Sequence, residues 1–212
     1  VTTLAGDTVL GYTLNRQSTM KSALQPLRDR FLFDAHQSDW IIKFPKRGAT
    51  PTVTIPEEDV GILKRGRDQT DEPAVREVRQ DDLSLPMSLA IRYRNKDEDY
   101  QVDVESDKRH LFPNPTMRSK SERTLDIPIV EQPTAMKQLA QKTLMTLWNE
   151  RVSYKTIIPW TYIALDSTDV FKMGVFNETH QLRMAENDLG QGWAIDITGV
   201  VEDTKSFSST LT

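Results

Sequence analysis

The 212-residue chain has no cysteine. That removes disulfide frameworks, cysteine-based zinc sites and thiol nucleophiles together, and it agrees with folding in a reducing cytosol. Its three histidines, His36, His110 and His180, are far apart, with no His-x-His or His-x-x-x-His spacing for a metal. Only nine glycines occur. Gly190-x-Gly192 lacks the third glycine of a dinucleotide fingerprint and lies between expected strands, and no phosphate-binding loop is present. A Gly-x-Ser-x-Gly nucleophile elbow is missing as well. No apolar run approaches the roughly 18 residues of a membrane span. The start, VTTLAGDTVLGY, has neither the charged opening nor the apolar core of a signal peptide. The net charge of −4 is too small to steer a nucleic acid or a membrane. No catalytic residue, metal or cofactor is therefore expected.

What remains is a polar, globular composition, 37% hydrophobic and 27% charged, long enough for one large domain or two small ones. A chain running from Val1 to SFSSTLT reads as a stretch of a longer polypeptide. The loop Lys64–Pro73 (KRGRDQTDEP) is nearly free of apolar residues and is the best internal boundary. It divides a helix-plus-hairpin unit, 1–66, from a β-rich unit, 67–212, with one long amphipathic helix at about 134–151.

Within the first unit, Val9–Leu14 alternates as a short strand. Ser18 or Thr19 caps a helix with Met20, Ala23, Leu24, Leu27 and Phe31 on one stripe, and Pro26 predicts a kink or break near Gln25. FLFDA and WIIKF, separated by His36–Asp39, read as a β-hairpin, followed by a strand at Thr52–Ile55. In the second unit, Val75–Gln80 and Met87–Arg94 are strands. Leu89, Ile91 and Tyr93 face one way and Arg92 and Arg94 the other, as in a sheet with one wet face. Gln101–Glu105 pairs back across the turn Asp97–Tyr100. Ser106–Arg123 is a polar loop. Thr134 caps the strongest helix, whose stripe is Met136, Leu139, Ala140, Leu144, Leu147 and Trp148. Strands follow at Tyr154–Ile158, Ile163–Leu165, Asp169–Val175, Gln181–Ala185 and Trp193–Val201, with a hairpin loop at Asn187–Gly192. The class is α+β: antiparallel β-barrel or sheet units with a few packed helices.

Candidate chemistry is sparse. Asn95-x-Asp97-x-Asp99 opens like a calcium loop, but Tyr100 stands where glycine is needed and Ser106 where glutamate is, so a solvated turn is expected. Glu57–Glu58–Asp59 and Asp81–Asp82 are read as turn or cap residues, because adjacent carboxylates in a strand point to opposite faces. The loop cations Lys64, Arg65 and Arg67, and Arg118, Lys120 and Arg123, lack interleaved aromatics and do not make a nucleic-acid platform. Trp40, Trp148 and Trp193 are expected in the core. Trp160, with Tyr162, is the expected exposed contact.

Four segments, in order, resemble the putative phage tail protein family, which includes tail-hub or baseplate proteins of siphophages and gene transfer agents and tail-tip host-specificity proteins. They are Gly11–Gly48, with Ala-Leu-x-Pro-Leu and a closing Pro-x-x-Gly; Val75–Glu105, with Asp-Asp-Leu and Asp-Tyr; the helix Ala135–Glu150; and Tyr154–Met173. The chain departs from the pattern at Ser84–Leu85, which delay the proline to Pro86, at Asn95, and at Ser167–Thr168, where a glycine is usual. The family has no catalytic residues to carry over. The resemblance implies a tail-hub-like fold and a structural domain that assembles in a ring of three copies at the virion tail tip, after assembly in the host cytoplasm. The implied partners are tube, tip and tape-measure proteins, with DNA passing through the lumen without specific binding. The alternative function is a carbohydrate-binding module for host adhesion. A cell-wall hydrolase has no positive feature here.

Overall fold

The structure, a computed structural model, describes residues 7–14, 17–38, 40–61, 73–109, 119–190 and 194–207. Its described strands are β1 (Gly11–Tyr12), β2 (His36–Ser38), β3 (Ile41–Lys43), β4 (Val53–Ile55), β5 (Val75–Arg79), β6 (Ser88–Asn95), β7 (Val102–Lys108), β8 (Glu122–Glu131), β9 (Val152–Pro159), β10 (Val170–Val175), β11 (Glu178–Leu189) and β12 (Ala194–Val201). Two helices, α1 (Met20–Phe31) and α2 (Pro133–Asn149), complete an α+β fold. The strands form three sheets, ordered β1-β8-β6-β7, β4-β10-β11-β12-β9-β5, and the hairpin β2-β3. All three are open, and the described residues close no barrel. Both large sheets take a strand from the first 66 residues: β1 pairs with β8, and β4 with β10.

The four-stranded sheet is backed by α2. The alternation read for β6 is realised, with Leu89, Ile91 and Tyr93 buried against Met136, Leu139, Ala140, Leu144 and Trp148 of α2. Burying each such side chain is worth about 1.5–3 kcal/mol before entropy is charged. The helix starts at Pro133, a residue whose missing amide costs nothing in the first turn. The expected cap, Thr134, therefore lies inside it. Trp148 closes the layer: its indole N–H donates to Pro86 O at 2.9 Å, and the guanidinium of Arg109 lies 4.1 Å from its ring centre.

β8 is the strand with no counterpart in the sequence reading. It runs parallel to β6, so the sheet is mixed rather than antiparallel. Register shifts between Arg92 and Arg94, where Ile127–Ile129 of β8 passes the single residue Tyr93. Pro128 sits in that bulge, where its missing N–H breaks no ladder bond.

The six-stranded sheet builds its core without helical residues. Ile55, Phe171, Met173, Leu182, Met184, Ile195, Ile197, Tyr154 and Ile158 gather in one cluster, with Val60 and Leu165 from connecting turns. Ile55 and Ile158 belong to strands well separated in the sheet order, so the sheet curls over its own apolar face.

Several expectations are corrected. Helix α1 continues through Pro26 without a break, and of the two expected caps it is Thr19 that accepts from Ser22 N–H. The hairpin turn is shorter than expected, because His36–Ser38 are strand and pair with Ile41–Lys43. Ile163–Leu165 is not a strand; Trp160–Tyr162 forms a single 3-10 turn there. Ser106–Lys108 and Glu122–Arg123 belong to β7 and β8 rather than to a loop. Asn187–Leu189 extends β11. Trp193, His110, Gly192 and most of Lys64–Pro73 lie outside the described residues.

Candidate functional site

A cluster of buried charge joins the two cores. Asp34, just past α1, accepts two bonds from Arg47, Nε to Oδ2 at 2.8 Å and Nη2 to Oδ1 at 2.9 Å. Arg28 adds a third at 2.6 Å. Arg183, in the middle of β11, reaches Asp34 at 3.3 Å, Glu150 at 2.6 Å and Glu202 at 2.9 Å. Arg47 also donates to Glu150, and Gly48 N–H to Glu202 at 2.7 Å. Gly48 takes φ +80° with the Phe207 ring packed on it, and a Cβ there would meet the ring at 2.7 Å. The cluster thus ties the end of the hairpin, the C-terminus of α2, β11 and the segment after β12. Burial alone would raise Asp34, but Arg47, Arg183 and Arg28 outweigh it and hold its carboxyl below the ordinary range. Burial dominates for Glu202 and pushes it up, despite Gly48 and Arg183. Each charge lies within ion-pair distance of an opposite one, though Arg183 Nε and Glu202 Oε2 make no hydrogen bond, and the cluster ties its segments together.

The β2–β3 hairpin is anchored at its base. Ser38 Oγ and Lys43 Nζ both donate to Asp166 Oδ2, at 2.6 and 3.0 Å, and these contacts lower the carboxyl of Asp166. His36 Nδ1 lies 3.2 Å from Thr168 Oγ1. At the tip, Trp40 has φ +62° and is 95% exposed, with Ile41 and Ile42 more than half exposed beside it. This corrects the expectation of a core role for Trp40. Trp40 lies directly before β3, on the turn side of the hairpin, so no strand covers its indole. Trp148, by contrast, is buried as expected.

Trp160 is 55% exposed in its 3-10 turn. Tyr162 is half-buried against the curled-sheet core, and its hydroxyl donates to Asp59 Oδ2 at 2.6 Å. That bond, with burial, pushes the phenol up to about 12. The two rings therefore differ in exposure and do not present one platform. Asp81 caps a short turn by accepting from Leu83 N–H, and Asp82 pairs with Arg151. Asn95 is buried; it accepts from Asp97 N–H and donates to Asp103, holding the turn closed. The described residues contain no group of three or more His, Asp or Glu able to hold a metal. No described helix is long and apolar enough to cross a membrane.

The sequence analysis missed two further surfaces. An open groove of about 810 Å³ between α1 and α2 is lined by Arg30, Lys46, Lys96 and Lys142. Arg30 pairs with Glu131 and Lys46 with Asp7. The second surface is the outer edge of β7, where Val102 and Val104 are more than half exposed. Their face could have been found from the inverted pattern of VDVESDK, whose acids occupy the positions opposite Leu89, Ile91 and Tyr93.

The arrangement holds strands and turns together and presents edges and a tip for contact. Known structures carry the same fold. A chain from the virion of a native gene transfer agent (GTA) particle superposes with TM-score 0.81 at 15% identity, over 96% of this chain and 44% of that one. The tail protein from Neisseria meningitidis MC58 gives TM-score 0.54 at 11% identity, over 90% of this chain and 57% of that one. The chain thus spans about half the length of either. No curated protein matches the sequence. Residues 19–186 match the family described as "Putative phage tail protein"; with most of its length matched, the chain belongs to that family.

Proposed function

We propose that this chain is a hub domain of a tail tip or baseplate. It assembles in a ring of three copies below the tail tube and takes part in tail assembly and DNA delivery. The observation that carries the reading is the fold likeness to a virion chain over 96% of the protein, within a tail-protein family. Its neighbours are tube, tip and tape-measure proteins, and DNA passes through the lumen without specific contacts. The role is assembly, and no residue turns over a substrate. The ion pairs of Asp34, Arg47, Arg183 and Glu202 brace the domain, as a ring element under mechanical force requires. Gold-labelled antibody against the domain, imaged on intact tailed particles, tests this. Label at the distal tail tip supports the hub; unlabelled particles in a lysate rich in the protein overturn it.

A second reading, carbohydrate binding during host adhesion, is favoured by one observation, the exposure of Trp160. Aromatic faces stack on apolar sugar surfaces. A glycan array probed with the wild-type chain and with Trp160→Ala decides it. Hits that vanish in the variant support the reading, and an array without hits removes it.

A further inference from the structure

The two long sheet edges of this chain carry complementary features. β7 ends the four-stranded sheet and β5 ends the six-stranded sheet, and no described strand pairs with the outer side of either. Unpaired edges of this length are normally blocked or used. On β7 the hydrogen-bond phase is fixed by Asn95 N–H to Gln101 O and Arg109 N–H to Met87 O. Odd-numbered residues bond to β6, so Val102, Val104, Ser106 and Lys108 turn their backbone groups outward. Val104 N–H accordingly takes the Asp103 side chain as its acceptor at 2.7 Å, a bond that an added strand displaces. On β5, Gln80 N–H to Arg151 O fixes the opposite phase. There Val75, Glu77 and Arg79 turn outward.

Outward residues must form the hydrogen-bonded pairs of an antiparallel ladder, so the phases restrict the register. The best match sets Arg79 opposite Val104, Val78 opposite Glu105, Glu77 opposite Ser106 and Arg76 opposite Asp107. Arg76 then has Asp107 across, with Glu105 on one diagonal and Arg109 on the other, and Glu77 has Lys108 on the diagonal. No like charges oppose. Pairing β7 with a second β7 instead would bring Asp103, Glu105 and Asp107 together with their own copies, which is repulsive. The acids therefore act as a filter, closed to self-pairing and open to a strand carrying arginine.

We infer that β5 of one copy adds antiparallel to β7 of the next, joining copies head to tail. Such a contact is heterologous and closes into a ring when its rotation permits. The inference rests on the hub reading, for which it names the seam between copies.

No cysteine within these 212 residues competes with an introduced pair. Val78→Cys with Glu105→Cys places two thiols on one close, non-hydrogen-bonded pair. Particles carrying this full-length double variant are oxidised and run without reductant. The expected result is a ladder ending at the closed ring, with neither single variant crosslinking. Arg76→Asp in the double-cysteine background should cut the crosslinked fraction roughly fivefold or more, since it turns two attractions into repulsions. Adding Asp107→Arg should restore it. Protein at the tail tip without crosslinks overturns the seam while the hub stands, as does a dimer from Glu105→Cys alone. Protein absent from the particles overturns both.

Discussion

The helix-backed sheet and the curled sheet bury comparable sets of side chains by different means. Helix α2 brings its apolar stripe already ordered by its own hydrogen bonds, so β6 and β8 meet a preformed wall. The curled sheet has no such wall. Its core exists only while strands far apart in the sheet stay paired, because Ile55 on β4 and Ile158 on β9 are both needed to close it. The difference teaches that one core is locally supported and the other is collectively supported. The Arg183 cluster bridges them, from β11 to the end of α2 through Glu150.

Removing the cluster's centre should break the comparison most visibly. Arg183→Leu leaves Asp34, Glu150 and Glu202 short of a shared cation, an expected loss of about 3–5 kcal/mol. Calorimetry should then show two transitions in place of one, the curled sheet melting first. A single lowered transition would mean that the cores stay coupled without the cluster. Phe171→Ala, fully buried in the curled sheet, should cost about 3–5 kcal/mol and Leu144→Ala on α2 about 2–5 kcal/mol. Native-state hydrogen exchange distinguishes them. The first should release amides across β10, β11 and β12 together, and the second chiefly those of α2.

Acid sharpens the contrast within the cluster itself. Asp34 is lowered from 3.8, so its contribution is complete above that pH and is lost as pH falls through the lowered value. Glu202 is raised from 4.5, so its contribution is complete below 4.5 and is lost as pH rises through the raised value. Asp34→Asn should cost about 1.5–3 kcal/mol near neutrality and approach wild type in strong acid. Glu202→Gln should keep, at pH 7, stability that wild type gives up above pH 4.5. Urea midpoints measured from pH 3 to 8 check both signs.

Two smaller effects concern the hairpin and its anchor. Thr168 takes φ +81°, a strained conformation for a β-branched residue. Thr168→Gly should therefore gain up to about 1 kcal/mol, reduced by the lost contact with His36, as read by thermal melting. Trp40→Ser should move stability by less than about 0.5 kcal/mol. A larger loss would show that the tip packs on the domain.

The sequence showed most of the helix-backed layer, because α2 and β6 carry clean periods of their own. Thr168 was also legible, as a residue standing where the family usually has glycine. β8 was hidden, since its first half is polar and Pro128 interrupts its apolar half; a proline inside a run argues against a strand unless a bulge receives it. Trp40 misled because its spacing with Ile42 and Phe44 is that of a buried face, and only the position of the turn decides whether such a face is covered. The cluster of Asp34, Arg47, Glu150, Arg183 and Glu202 could not be read at all. Its members are far apart in the chain, and each looks like an ordinary surface charge until the fold assembles them. The candidate site was legible only in Trp160, and the edges of β5 and β7 became visible once the sheet order was known.

The pairing of early strands with late ones also sets a timetable for the ribosome. Gly11 waits for Val130, Val53 for Phe171, and Val75 for Thr156. At roughly 5–20 residues per second, the first third of the nascent chain spends several seconds without its partners. During that interval α1 and the β2–β3 hairpin are the elements it can form from nearby residues. The six-stranded sheet is thus completed only after translation of its last strands.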